Sequence, residues 1–137
     1  MDHIRRFFDR DQYARHSDIV LLEVAPGTAR VKMPVAAHHL NGVGTVHGGA
    51  LFTLADFAFA VACNSHGTVA VAVQASISFV KAVSRGTLYA EAREVHKGPK
   101  LGNYSIEVRD EGGELVAVFQ GLAYRKNDTL EAVAARG

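Results

Sequence analysis

The chain has 137 residues, 48% of them apolar and 21% charged, and its 15 basic and 14 acidic side chains leave a net charge of +1. That length suits one domain around one core, the composition excludes a disordered chain, and the charge balance argues against binding nucleic acid by bulk electrostatics. A single cysteine, Cys63, excludes an internal disulfide, and its place in an apolar run marks it as a buried hydrophobe rather than a nucleophile. The opening residues, Met1 to Arg10, are charged throughout and lack the apolar core of a signal peptide. No apolar run approaches the roughly 20 residues of a bilayer span, so the expectation is a cytoplasmic protein that meets neither membrane nor nucleic acid.

Residues 3 to 15 carry Ile4, Phe7, Phe8 and Tyr13 among charges, which predicts a short amphipathic helix within an N-terminal segment of residues 1–17. An apolar run from Ile19 to Val24, the turn pair Pro26-Gly27 and the alternating Thr28 to Met33 predict a β-hairpin. The segment to Gly44 is loop. Its adjacent His38 and His39 point to opposite faces if extended, with no cysteine or carboxylate at ligand spacing, so no metal site is expected. A helix spans Ala50 to Cys63 and stops at Asn64 to Gly67, where glycine suits the left-handed position after a helix. Strands follow. Val69, Val71, Val73, Ile77 and Phe79 share one parity, Thr87 to Val95 forms a second strand, Tyr104, Ile106 and Val108 alternate with polar residues, and Leu115 to Tyr124 is nearly continuous apolar. Turns fall at 97–102 and 110–113, and the tail 127–137 is expected to fray. With no repeat and no linker, residues 1–137 read as a single domain of α+β class. Short connections favour an antiparallel sheet curved around the helix, and a second copy would cover what remains, so at least a homodimer is expected.

The stretch from Asn41 to Gly67 holds the chemistry. Glycines crowd its front end, and then Phe52, Leu54, Ala55, Phe57, Phe59 and Ala60 surround one carboxylate, Asp56, which predicts a helix buried on every side. A buried charge costs several kcal/mol unless it is paired or has a task. Two readings stand: an aspartate tied to a backbone or histidine donor, or a general base or nucleophile strengthened by dry surroundings. Gly48 and Gly49 open the helix, where free N–H groups can stabilise negative charge on an oxygen, or where glycine merely permits close packing. His47, just ahead, could donate to a substrate carbonyl, bind Asn41, or cap the helix. Asp56 lies eight residues beyond Gly48, about 12 Å along the axis, so the two cannot act on one carbonyl within one chain. Two antiparallel copies could bring Asp56 of one to Gly48 of the other, with Leu51, Phe52 and Phe59 as pocket walls.

The pattern Asn-Gly-x-Gly-Thr-x-His-Gly-Gly-x-Leu-Phe-x-Leu-Ala-Asp-x-Ala-Phe-Ala-x-Ala-x-Asn-Ser, residues 41–65, resembles the signature of hotdog-fold acyl-CoA thioesterases, closest to the PaaI type of bacterial phenylacetate degradation. The resemblance implies a βαββββ hotdog, a homodimer or a homotetramer built as a dimer of dimers, and thioester hydrolysis without metal or cofactor beyond the coenzyme A of the substrate. The acyl group would be aryl-acetyl or medium-chain. Asp56 would be base or nucleophile, the Gly48 amide would polarise the carbonyl, Asn41 and His47 would support them, and Gly49 would approach the substrate. Some relatives orient the water with a serine early in the strand after the helix. Ala72 stands there in this chain, which leaves Ser76 as a substitute. Lys81, Arg85, Lys97 and Lys100 are candidate partners for the coenzyme A phosphates. An acyl-CoA hydratase or dehydratase is an alternative, although its His-Phe-Pro loop is absent. A non-catalytic acyl-CoA-binding domain is another, and it would not need the carboxylate.

Overall fold

The computed structural model describes residues 1–137. Its frame is one six-stranded antiparallel sheet, β1 (Val20–Ala25), β2 (Thr28–Pro34), β3 (Thr68–Phe79), β4 (Thr87–Lys97), β5 (Leu101–Arg109) and β6 (Leu115–Thr129), in the order β1-β2-β4-β5-β6-β3. The long helix α3 (Gly48–Asn64) touches all six strands, so the sheet curls around it. Period-two burial makes this possible. Ala29, Val31 and Met33 of β2, Leu88, Ala90 and Ala92 of β4, Tyr104, Ile106 and Val108 of β5, and Phe119 and Ala123 of β6 are all buried. Phe59 of α3 lies so close to β6 that a Cβ on Gly121 would stand 2.6 Å from its ring, which is why that strand carries glycine there.

The C-terminal end of α3 is tied to the sheet. Asn64 donates from Nδ2 to the carbonyls of Ala60 (2.8 Å) and Ala70 (3.0 Å) and accepts from the Ala70 N–H (2.8 Å). Ser65 Oγ accepts from the Gly27 N–H at 2.7 Å, which locks the β1–β2 turn against the end of the helix. Gly67, at φ +93°, makes the expected left-handed stop. Next to it Glu94 accepts from Tyr104 Oη (2.5 Å) and meets His66 Nε2 (2.8 Å).

Four expectations need correction. The N-terminal segment forms two helices, α1 (Asp2–Phe8) and α2 (Gln12–His16), because Asp11 leaves the helical region and accepts from the Ala14 N–H as the cap of the second. The tail is ordered: β6 runs to Thr129 and α4 (Leu130–Arg136) follows, with Leu130 buried, its N–H bonded to the Gly67 carbonyl, and Thr129 capping the helix. The valines of β3 do not share a parity with Ile77 and Phe79. A bulge at Val73 shifts the register between Ala72 and Gln74, so Val71 pairs with Tyr124 but Ile77 pairs with the inward Phe119. Finally, α3 is not buried on every side. Gly49, Phe52, Thr53, Asp56 and Ala60 form a stripe that the sheet leaves wholly or partly open. No helix is long and apolar enough to cross a membrane.

Candidate active site

The loop leading into α3 is built by its own side chains. Asn41 Oδ1 accepts from the N–H groups of Val43 and Thr45 (both 3.1 Å), its Nδ2 donates to Thr45 Oγ1 (2.9 Å), and its backbone N–H bonds to the Thr45 carbonyl. Asn41 therefore shapes the loop and has no bond to His47. His47 is the N-cap of α3. Its Nδ1 accepts from the Gly49 N–H at 2.8 Å, which places the ring proton on Nε2. Ala50 and Leu51 N–H groups both return to the His47 carbonyl. The Gly48 N–H, first in the helix, is left without a partner in the chain. A Cβ on Gly48 would stand 3.1 Å from the ring of Phe79, so glycine admits the ring here, while its N–H stays free of any partner in the chain.

Asp56 is half-buried, and its carboxylate makes no hydrogen bond or ion pair within the chain. The structural pairing weighed from sequence is thus not found. Burial and then the negative charge of Asp11 hold its carboxyl above the usual value of 3.8. A carboxylate so placed is the stronger base. Of the proposed pocket walls, Phe52 lies on the open stripe, 37% exposed and edge-to-face with Phe119. Leu51 and Phe59 point into the core and are walls of the fold rather than of an open pocket. Gly49 is exposed, but its N–H is already committed to His47.

Ser76 pairs with Gln120, whose neighbours Phe119 and Gly121 face the helix, so Ser76 lies on the outer face of the sheet, away from α3. The bulge at Val73 is responsible. The four candidate cations do not converge. Lys81 and Arg85 sit at one end of β4 and Lys97 and Lys100 at the other, about 30 Å apart along the strand. Lys81 Nζ is held by Asp110 (2.7 Å) and Glu114 (2.9 Å), and Lys100 reaches Asn127 (3.2 Å). The histidine pair gains a carboxylate that its sequence neighbourhood lacks, because Asp18 comes to 2.8 Å from His38 and 3.8 Å from His39. Buried His39 accepts from the Ala36 N–H on Nδ1 and donates from Nε2 to the Ser17 carbonyl, so both its nitrogens serve the fold. Asp11, which shapes the electrostatics at Asp56, escapes sequence reasoning: nothing in the spacing of residues 11 and 56 connects them.

A curled sheet around one helix, with a free amide at the helix start and a free carboxylate two turns on, matches a known family. A family model described as Thioesterase superfamily matches residues 43–117. A putative esterase of Archaeoglobus fulgidus is 42% identical over 122 residues, covering 88% of this chain and 79% of the relative. The acyl-coenzyme A thioesterase PaaI of Escherichia coli is 40% identical, covering 93% of this chain and 91% of the relative. The solved structure of the E. coli PaaI protein from the phenylacetic acid degradation operon has a TM-score of 0.90 to this chain at 38% identity, covering 93% of this chain and 94% of that one. The chain belongs to the thioesterase superfamily and is a thioester hydrolase of hotdog fold. Within it the likeness is to the PaaI type, which sets aside the hydratase and binding-domain alternatives.

Proposed function

We propose that the chain hydrolyses the thioester of an aryl-acetyl or medium-chain acyl-CoA to the free acid and coenzyme A, in a site shared by two subunits. The observation that carries this reading is a partnerless Asp56 carboxylate and a partnerless Gly48 N–H on one helix. They stand about 12 Å apart at 1.5 Å per residue, too far for one carbonyl. A two-fold pairing of antiparallel helices puts Asp56 of one subunit opposite Gly48 of the other, twice. The open edge of β3 supports that pairing. Val73 and Phe79 on it are 55% and 57% exposed, whereas at the opposite edge Arg5 bonds to the Leu22 carbonyl of β1.

In such a site the Gly48 N–H donates to the thioester oxygen and stabilises the oxyanion. Asp56 takes a proton from water as the hydroxide adds to the carbonyl carbon. The C–S bond then breaks, and the departing thiolate recovers the proton. Alternatively, Asp56 attacks the carbonyl carbon directly and the C–S bond breaks with loss of the coenzyme A thiolate, leaving an anhydride. Water then cleaves the anhydride to return the Asp56 carboxylate and release the free acid, and the proton set free goes to the thiolate. Phe52, open beside Asp56, lines the acyl side, and the His47 Nε2–H supports the carbonyl end. No cofactor enters either route. The relative named an acyl-coenzyme A thioesterase supports the substrate class.

Thiol release from phenylacetyl-, benzoyl- and medium-chain acyl-CoA tests this. The expected result is turnover that falls by orders of magnitude in Asp56→Asn while acyl-CoA binding survives; unchanged turnover in that variant would remove Asp56 from the chemistry.

A further inference from the structure

Two polar side chains stand in the body of α3, Thr53 and Asp56, and both lie on the stripe that the sheet leaves open. Three residues apart on a helix, they are neighbours, with Cβ atoms about 5–6 Å apart. Helical side chains lean toward the N-terminus, so the Asp56 carboxylate lies over the turn that carries Thr53. The rest of the stripe, Gly49, Phe52 and Ala60, has no side-chain donor or acceptor.

The hydrogens of this pair decide what it can hold. Thr53 Oγ1 donates its one hydrogen to the Gly49 carbonyl, 2.8 Å away, the back-bond open to a threonine within a helix. Toward the opening the hydroxyl therefore offers lone pairs alone. An ionised Asp56 is likewise only an acceptor, and no group in the chain donates to it. The donors around it are engaged. The Gly49 N–H goes to His47 Nδ1 at 2.8 Å. Arg5 and Arg15, which share a groove with Phe57, go to the carbonyls of Leu22 (2.7 Å) and Asp9 (3.2 Å). Two acceptors thus face one opening with no hydrogen between them, and neither can bind the other. A molecule with one oxygen and two hydrogens fits that gap. Two bonds of about 2.8 Å at the angle of a water molecule join oxygens roughly 4.5 Å apart, which suits neighbours of this spacing.

We propose that Thr53 is a catalytic residue of the hydrolytic site, holding with Asp56 the water that attacks the thioester. This rests on the hydrolytic reading of Asp56 given above. One hydrogen of the water points at Asp56 and the other at Thr53 Oγ1, which turns the oxygen lone pairs away from the helix and toward an incoming carbonyl. As the oxygen bonds to the carbonyl carbon, Asp56 takes the first hydrogen as a proton, and the second stays on the attacking oxygen, held by Thr53. Collapse of the intermediate breaks the C–S bond. The thiolate takes the proton from Asp56, and the product leaves as the carboxylic acid, which ionises in solvent. Ser76 lies on the outer face of the sheet, so Thr53 is the one hydroxyl on the open stripe.

Thr53→Val keeps the shape and about the helix propensity of threonine but loses the hydroxyl, whereas Thr53→Ser keeps the hydroxyl and its back-bond. The experiment measures kcat for phenylacetyl-CoA in wild type, Thr53→Val, Thr53→Ser and Asp56→Asn. Alongside, it measures Kd for the ketone analogue in which a methylene replaces the thioester sulfur. The expected kcat is lower by about 10- to 100-fold in Val, the scale of a misplaced reacting group, and near wild type in Ser. Kd for the ketone should stay near wild type in both, because the water adds nothing to binding of the carbonyl. A Val variant that turns over at the wild-type rate would overturn the proposal, as would a Ser variant as slow as Val. So would a Kd that rises in step with the loss of kcat, since Thr53 would then hold the substrate or shape the helix start beside Gly48. Failure of the hydrolytic reading shows separately, as wild-type kcat in Asp56→Asn; failure here leaves Asp56→Asn inactive and Thr53→Val active.

Discussion

Asp56 carries opposite consequences for stability and for chemistry. Burial and the Asp11 charge make it a weaker acid folded than unfolded. Such a group costs the fold free energy once both states are ionised, and the cost disappears as pH falls below the ordinary carboxyl value. Asp56→Asn, the same shape without the charge, should therefore melt at a higher temperature than wild type at pH 7. That advantage should shrink as pH falls toward 3.8. Thermal unfolding at several pH values checks it, and a variant less stable at neutral pH would mean that the carboxylate is paired in the folded protein. A destabilising group retained at a reactive position is the usual compromise of an active site. The oddity of this residue was visible in the sequence, since a lone carboxylate among phenylalanines and alanines asks for a reason. Its surroundings were not. The open stripe depends on which side of the helix the sheet leaves bare, and Asp11 arrives from a separate helix whose approach no local pattern encodes.

At the scale of elements, the seat of α3 on the sheet is set by a close contact between Phe59 and Gly121. Phe59 is buried and hemmed by Tyr104 and Phe119, with ring centroids 5.6 and 5.8 Å away, so it has no room to swing aside. A methyl on Gly121 would stand 2.6 Å from its ring. Gly121→Ala should cost about 1–3 kcal/mol, in the range of overpacked cores, read as a lower urea midpoint. An unchanged midpoint would mean that the helix is not seated there. The helix, the hairpin turns and most strands followed from period and punctuation, because those signals are local. Two features escaped for physical reasons. The bulge at Val73 changes which residues face inward without changing their identities, so alternation alone gave Val71 and Ile77 the same face and left Ser76 eligible for the site. The final helix is held by Leu130 sinking into the core and by a bond to Gly67, contacts that a polar, alanine-rich tail does not advertise.

For the whole molecule, the unequal edges of the sheet matter most. One edge is met by Arg5, while β3 offers an open strand with exposed valine and phenylalanine beside an uncovered stripe of α3. A second copy over that stripe is a proposal that sequence also prompts, because a helix with so little polar surface calls for cover. The site proposed for that interface is testable without a structure of the assembly. Gly48→Pro removes the amide proton alone. It falls at the first helical position, where proline is accommodated, and His47 already has the extended backbone, at φ −60° and ψ 138°, that a following proline requires. Its ring carbon would press on Phe79, whose exposed ring can move aside. Gly48→Pro and Asp56→Asn should each be inactive. Mixed in equal amounts and allowed to exchange subunits, they should form heterodimers with one intact site, carrying Asp56 from one chain and the Gly48 amide from the other. Activity should then recover to about a quarter of wild type, since half the dimers are mixed and each has one working site of two. Recovery to that level is the result predicted; no recovery after demonstrated exchange would contradict a shared site.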